Sequence, residues 1–231
     1  MKSSSSDIHS HRIWNELVKQ HVSDNGYVDY KEFKNDLGQI ENYLLQLSNN
    51  VPDKTWSDMQ QLAYWINAYN AFTVQLILKN YGVESIREIQ TADIKSPWKI
   101  PFISIGGETY TLDKIEHDIL RKQFNEPRIH FAIVCGSYSC PKFRNEAFVA
   151  EKLNDQLNDQ THDFIHDQTK NNITATPVRL SNIFKWYADD FRTVYNDDRS
   201  LLQWISQFTD QPINPDAAIE YLPYNCALNG R

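Results

Sequence analysis

The sequence predicts an α+β fold of one domain: a long central helix, with further helices packed on a small, mainly antiparallel sheet. Three observations lead there. Residues 57–81, SDMQQLAYWINAYNAFTVQLILKNY, are apolar almost all round a helical wheel, the pattern of a helix buried on every side. KIPFISI and ETYTL flank Gly106-Gly107, the dipeptide of a tight β-hairpin. The 231 residues show no internal repeat, low-complexity linker or domain boundary. A chain of that size buries about 70% of its unfolded surface, so its core needs no disulfide staples.

Each element follows in order. The start, MKSSSSDIHSHR (residues 1–12), has no hydrophobic signal core. It reads as a flexible leader, or as a start placed after a removed export signal, with the globular domain at 13–231. Residues 13–21 and 31–47 read as short helices split by SDNGYVDY. SDNGYVDYKEF imitates a calcium loop aligned on Gly26, but its first ligand position is His21, where a hard cation wants a carboxylate. A turn into a short strand, YVDY, is the better reading.

Ser57 with Gln60 forms a capping box for the central helix, and Gly82 stands after its end as a C′ residue. The helix is expected to run about 37 Å. Gln60, Tyr64, Asn67, Ala71 and Val74 share one face, with Asn70 beside them. Buried amides need partners, so Asn67 and Asn70 either pin neighbouring loops or line a cleft.

LDKIEHDILRKQF predicts a helix from about 113 to 124. PRIHFAIVCG predicts a strand, followed by a helix from Pro141 through the 150s. Asn171-Asn172 marks a turn before a strand near 173–180. Ser181 caps a helix carrying NIFKWYADDF, and a further helix spans about 199–208. The tail, AIEYLPYNCALN, is irregular or extended.

Composition bounds the function. Lys and Arg total 23 against 30 Asp and Glu, a net charge of −7, with no basic cluster longer than a pair. Nucleic acid is therefore not an expected partner, since such binding rests on neutralising phosphates. No apolar run approaches the ~20 residues that span a bilayer. No cofactor is expected, and the oligomeric state is not legible. Three cysteines are an odd count, leaving at least one thiol unpaired within a monomer.

Two regions carry chemistry. On a wheel for 112–124, Leu112, Ile115, Ile119 and Leu120 form one apolar stripe, and Glu116 falls inside it. A carboxylate there is costly unless paired or multiply hydrogen-bonded. His117 lies at the stripe's edge, in line with Asp113 and Arg121, where a plain charge ladder is the simpler reading.

In HFAIVCGSYSCPKFR, Cys135 ends an apolar strand row and reads as a small buried hydrophobe. Cys140 precedes Pro141 at an expected helix N-terminus, where unpaired N–H groups favour thiolate and offer an oxyanion hole. Four readings stay open for the pair: a nucleophile with a helper, a disulfide closing a small loop, a zinc pair completed by His117 or His130, or two structural thiols.

The chain resembles the domain-of-unknown-function 547 family. The resemblance rests on AYWINAYNAFTVQLIL (63–78), LDKIEHDILR (112–121), PRIHFAIVCGSYSCP (127–141), LSNIFKWYADDF (180–191) and YLPYNCALN (221–229), in the family's order. The family's recurring polar positions fall on Asn67, Asn70, Glu116, His117, Arg121, Arg128, His130, Cys135, Ser139, Cys140, Asp190 and Asn229. The tail departs from the pattern, with Cys226 where the family usually has Trp. The resemblance implies a shared polar cleft but no established activity. Bacterial members are commonly exported, which implies a periplasmic or extracellular location, with the cytoplasm as the alternative.

The expected function is a cysteine-dependent hydrolase or acyltransferase acting on an amide or ester of a small molecule or peptide. Cys140 is the nucleophile and His117 the base, with Glu116 or Asp190 as orienting acid and His130 as rival base. Asn67, Asn70 and Ser139 position substrate, and Arg121 or Arg128 holds a substrate carboxylate. A cysteine at a helix N-terminus beside a sheet suggests a papain-like or transglutaminase-like arrangement by fold-level analogy. Because both histidines precede the cysteine, that arrangement has to be circularly permuted. The alternative functions are a non-catalytic ligand- or protein-binding module with a buried polar network and, third, a zinc site.

Overall fold

An amide side chain carries the same donor and acceptor as a peptide group, and the central helix uses two of them to fix the chain that wraps it. A computed structural model describes residues 8–191, 198–210 and 213–231. Its first elements are α1 (Arg12–His21), α2 (Tyr30–Phe33), α3 (Leu37–Asn49) and α4 (Asp58–Lys79). The helix expected over 31–47 is broken by a 3-10 turn at Lys34–Asp36. Two residues expected within a flexible leader, Ile8 and His11, are packed into the fold instead. Ile8 and His11 are both 2% exposed, and His11 Nδ1 lies 2.7 Å from the Tyr43 hydroxyl. Residues 1–7 of that stretch lie outside the described residues.

The central helix α4 is buried from Leu62 through Leu78. Its Ser57/Gln60 capping box forms as read, with Ser57 Oγ accepting from the Gln60 N–H and Gln60 Oε1 from the Ser57 N–H. The C-cap is Asn80, which places Gly82 one position beyond the expected C′. In the SDNG segment, a turn leads to a bridge between Val22 and Val28.

β1 (Ile103–Ile105) and β2 (Glu108–Tyr110) form the antiparallel hairpin, with Ile103 opposite Tyr110 and both glycines at positive φ. The next helix, α5, runs from Leu112 to Gln123 with a wide π turn over Ile115–Leu120 at its centre. That turn holds both Glu116 and His117. A wheel at 100° per residue does not hold across it, and such bulges gather at functional sites.

The strand expected over 129–135 is replaced by a helical turn, α6 (Ile129–Ala132), followed by extended backbone. Among the described residues no strand lies beside this segment, and Asn70 stands in for one. Its Nδ2 donates to the Ala132 carbonyl at 2.9 Å, and its Oδ1 accepts from the Val134 N–H at 2.8 Å. Asn67 holds Phe148 the same way, at 2.7 and 3.0 Å. A short buried apolar run is ambiguous between helix and strand, and here the Asn70 amide settles it.

The helix expected from Pro141 starts only at Leu153. α7 is Leu153–His166, and the chain before it is irregular. Gln160 donates to the Lys142 carbonyl, while Gln156 donates to the Ala147 carbonyl and accepts from the Val149 N–H. Those side chains satisfy backbone groups that a helix would have used. Cys140 therefore does not sit at a helix N-terminus.

β3 (Val178–Ser181) precedes α8 (Asn182–Trp186), whose N-cap is Ser181, then α9 (Ala188–Phe191) and α10 (Asp198–Ser206). In the tail, β4 (Ile219–Leu222) pairs with β3 in parallel, Leu180 opposite Tyr221. The expected sheet is thus two separate two-stranded ribbons, and only the first is antiparallel.

The core has two parts. The larger surrounds α4, and the smaller gathers Phe131, Phe164, Phe184, Phe191 and Trp204. Tyr224, from the tail, packs against both.

Candidate functional site

A cleft of about 260 Å³ opens where the π turn, the 133–141 loop and the tail meet. Glu116, His117, His130, Cys135 and Cys140 all line it. Glu116, His117, His130 and Cys140 were singled out from the sequence as site residues, whereas Cys135 was read as a small buried hydrophobe.

Glu116 faces inward from the π turn and is 6% exposed. Its Oε1 accepts from the Tyr187 hydroxyl at 2.5 Å, and its Oε2 from the Tyr69 hydroxyl at 3.3 Å. Burial first, and then the Glu116 carboxylate, pushes both phenols well above their ordinary range, so both remain donors. The carboxylate in the apolar stripe thus accepts its hydrogen bonds from tyrosines rather than from a cation or a histidine.

Behind the lining, Arg121 grips Asp190 in a two-point pair, Nε to Oδ2 at 2.6 Å and Nη2 to Oδ1 at 2.8 Å. Asp190 Oδ2 also meets His130 Nε2 at 2.7 Å. Burial would raise the Asp190 carboxyl, but hydrogen bonds and charge from His130 and Arg121 outweigh it and hold the group below the usual carboxylate range. An ionised Asp190 only accepts, so His130 carries its proton on Nε2. Nδ1 of His130 has no hydrogen-bond partner among the described residues, and its ring stacks on Tyr187 at 4.0 Å between centroids.

His117 is placed differently. Arg121 Nη1 approaches its Nδ1 at 3.0 Å. A guanidinium cannot accept, so that nitrogen's lone pair is already occupied. Its Nε2 faces Asp113 at 3.5 Å, and the Asp113/His117/Arg121 ladder is present as the spacing implied.

Cys135 and Cys140 are joined as a disulfide, with their Cα atoms 6.5 Å apart. Cys135 is therefore not an isolated buried hydrophobe. Gly136, at φ +81, turns the chain between them. A Cβ there would lie 2.6 Å from Ile77 Cδ1 of the central helix, so the loop sits as close to α4 as glycine allows.

Two donors reach the Cys140 sulfur: the Cys135 N–H at 3.2 Å and the Tyr224 hydroxyl at 3.1 Å. They occupy the role that sequence reading gave to a helix N-terminus. The tail is laced to this loop by Tyr138 N–H to the Ala227 carbonyl, Ser139 N–H to the Asn225 carbonyl, and Asn225 N–H to Ser139 Oγ.

The remaining expected site residues lie away from the cleft. Asn67 and Asn70 are consumed in pinning backbone, and Ser139 anchors the tail. Arg128 pairs with Glu126 and binds the Asn154 and Asn158 side chains. Arg121 is held by Asp190 and His117. Neither arginine therefore offers a free guanidinium to a substrate in the cleft. Tyr69, Tyr187, Tyr224 and Arg87, which do line it, were not singled out from the sequence. Tyr187 and Tyr224 lie within the quoted stretches LSNIFKWYADDF and YLPYNCALN, while nothing local distinguishes Arg87.

Among the described residues no group of three or more His, Cys, Asp and Glu side chains is placed to hold a metal ion. No helix is long and apolar enough to cross a membrane, among the described residues.

The model of the family described as "Protein of unknown function, DUF547" matches residues 54–165, which supports the resemblance to that family. The match includes Glu116, His117, His130 and the cysteine pair, and ends before Asp190 and Tyr224. No curated protein and no solved structure matches the chain.

Proposed function

We propose that the cleft performs cysteine-dependent hydrolysis or acyl transfer on an amide or ester, with Cys140 as nucleophile, His130 as base and Asp190 as orienting acid. One observation carries the reading: Cys140 and His130, whose Nδ1 has no partner among the described residues, line the same open cleft. The His130–Asp190 pair has the polarity of a nucleophile-activating dyad, its acid fixing the imidazole tautomer. The base moves from His117 to His130 because Arg121 occupies the His117 lone pair. Asp190 replaces Glu116 as the orienting acid because Glu116 contacts tyrosines and not an imidazole.

The active form in this reading is the dithiol. An external dithiol delivers two electrons and two protons to the Cys135–Cys140 bond. His130 Nδ1 then takes the Cys140 proton, with the Cys135 N–H and Tyr224 hydroxyl stabilising the thiolate. Sulfur attacks the carbonyl carbon, a C–S bond forms, and the carbonyl π electrons move to oxygen. Collapse breaks the bond to the amine or alkoxide, which leaves with the proton from His130. Water or an acceptor nucleophile then cleaves the thioester. A permuted papain-like arrangement belongs to the same proposal, since Cys, His and Asp share roles with that class in a different chain order.

The test is Cys140 alkylation against pH in the reduced protein, read by peptide mass mapping, for wild type and His130→Gln. The expected result is an apparent thiol pKa below the ~8.5 of a free cysteine, returning toward it in the variant. A Cys140 that titrates like a free thiol in both proteins overturns the reading. The non-catalytic binding module, favoured by the closed Glu116/Tyr69/Tyr187 and Arg121/Asp190 contacts, then takes its place.

A further inference from the structure

We propose, resting on the thiol reading above, that the cleft selects acyl substrates bearing a carboxylate, which Arg87 and Ser96 receive. Arg87 lies on a 3-10 turn at Ile86–Glu88, and Ser96 is the N-cap of another at Pro97–Lys99. The two turns pack against each other, and both side chains line the cleft that holds Cys140.

What sets this corner apart is unused donor capacity. Among the described residues the Arg87 guanidinium makes no ion pair or hydrogen bond, whereas Arg121, Arg128 and Arg144 are each held by carboxylates. The Ser96 hydroxyl makes no capping bond. A planar guanidinium and a hydroxyl lining one cleft can together meet the two oxygens of a carboxylate. Trp98, next to Ser96, and Trp186 add apolar wall for the rest of the acyl group.

The corner and the reacting atom share one cleft. Tyr224, whose hydroxyl touches the Cys140 sulfur, is pushed up mainly by burial, and the Arg87 charge opposes that push. Asp113 and Glu116 line the cleft as well, so an anion is favoured only where Arg87 offsets them. Glu116 is partly masked by its two tyrosine donors. The corner thus discriminates within the cleft, and the cleft as a whole is not a general anion trap.

Iodoacetate and iodoacetamide are probes of nearly equal size that differ by one carboxylate. With each, the Cys140 thiolate displaces iodide and forms a C–S bond. The protein is first reduced with a neutral dithiol, which is then removed. Rates at Cys140 are measured by peptide mapping for both reagents, in wild type, Arg87→Gln and Arg87→Lys, with a free cysteine peptide as reference.

The expected iodoacetate-to-iodoacetamide ratio at Cys140 exceeds that of the peptide. It falls between about 3- and 10-fold in Arg87→Gln, the low end of what a focused charge gives. It is largely kept in Arg87→Lys, and it narrows at high salt. An equal ratio in wild type and Arg87→Gln overturns the substrate class while leaving the nucleophile reading in place. A Cys140 inert to both reagents, while Cys226 is labelled, removes the nucleophile and the substrate class with it.

Discussion

On one side of the cleft, Glu116 with Tyr69 and Tyr187, and Asp190 with Arg121 and His130, form two hydrogen-bonded groups with contacts between 2.5 and 3.3 Å, joined by the stacking of His130 on Tyr187. On the other, Cys140, Tyr224, Arg87 and Ser96 come from loops, 3-10 turns and the tail, and several of their polar atoms are unspent. The first wall has paid its desolvation cost through internal partners, so removing any member strands another. The second wall keeps capacity for something that is not part of the chain. The proposed nucleophile and the unspent donors thus lie on the second wall, while the proposed base His130 and its acid Asp190 lie on the first, and substitutions distinguish the two.

The largest effect is expected where both walls depend on one residue. Asn70 fixes the 132–134 backbone, with His130 on one side of it and Cys135 on the other. Asn70→Ala leaves the Val134 N–H and the Ala132 carbonyl without partners in a buried setting. The expected loss is about 3 kcal/mol, from two unsatisfied groups at 1–3 kcal/mol each. Denaturant unfolding monitored by tryptophan fluorescence measures it. A loss below about 1 kcal/mol would mean that the extended segment holds itself, and that the walls are independent.

A smaller loss is expected from the first wall alone. Asp190→Asn keeps the shape but removes the charge that Arg121 and His130 meet. Because the pair is partly exposed, the expected cost is about 2 kcal/mol, below that of breaking a fully buried pair. The pH dependence carries a sign. The folded-state pKa of Asp190 is depressed, so its stabilisation is fully present above the ~4 of an unfolded aspartate and is lost as pH falls below that. Wild type should therefore lose stability more steeply than Asp190→Asn on acidification below about pH 4. Parallel acid limbs in the two proteins would show that the Arg121–Asp190 contact is not energetically coupled to folding.

How far the walls were legible in the sequence follows the same division. The first wall rests largely on a periodic helix, and Glu116 announced itself by sitting in an apolar stripe where a bare carboxylate is costly. The capping box at Ser57 and the Gly106-Gly107 hairpin were legible because their signals are local. The segment 129–135 was misread because its apolar run suits helix and strand alike, and what decides between them is Asn70, 62 residues away. The helix placed at Pro141 was misread because proline permits a helix start without requiring one. Here Gln156 and Gln160 supplied the backbone partners instead. Arg87 was invisible for a related reason: its importance lies in the partners it lacks, which only the folded chain displays.

The smallest effect on stability, and the one that separates the walls most sharply, is expected at Tyr224. Its hydroxyl lies 3.1 Å from Cys140 Sγ and 3.5 Å from Cys135 Sγ, while its ring packs against both parts of the core. Tyr224→Phe keeps the ring and removes only the donor. Stability should change by less than about 1 kcal/mol, the net worth of one ordinary hydrogen bond. The Cys140 thiolate loses one of its two donors, so its apparent pKa in the reduced protein should rise by roughly one unit, or about 1.4 kcal/mol. Alkylation rate against pH reads the second quantity, and unfolding the first. If stability falls by several kcal/mol while the thiol titration stays put, Tyr224 is a strut that ties the tail to the core. The Tyr224 hydroxyl then has no part in tuning the thiol, and the second wall holds itself together by internal contacts as the first does.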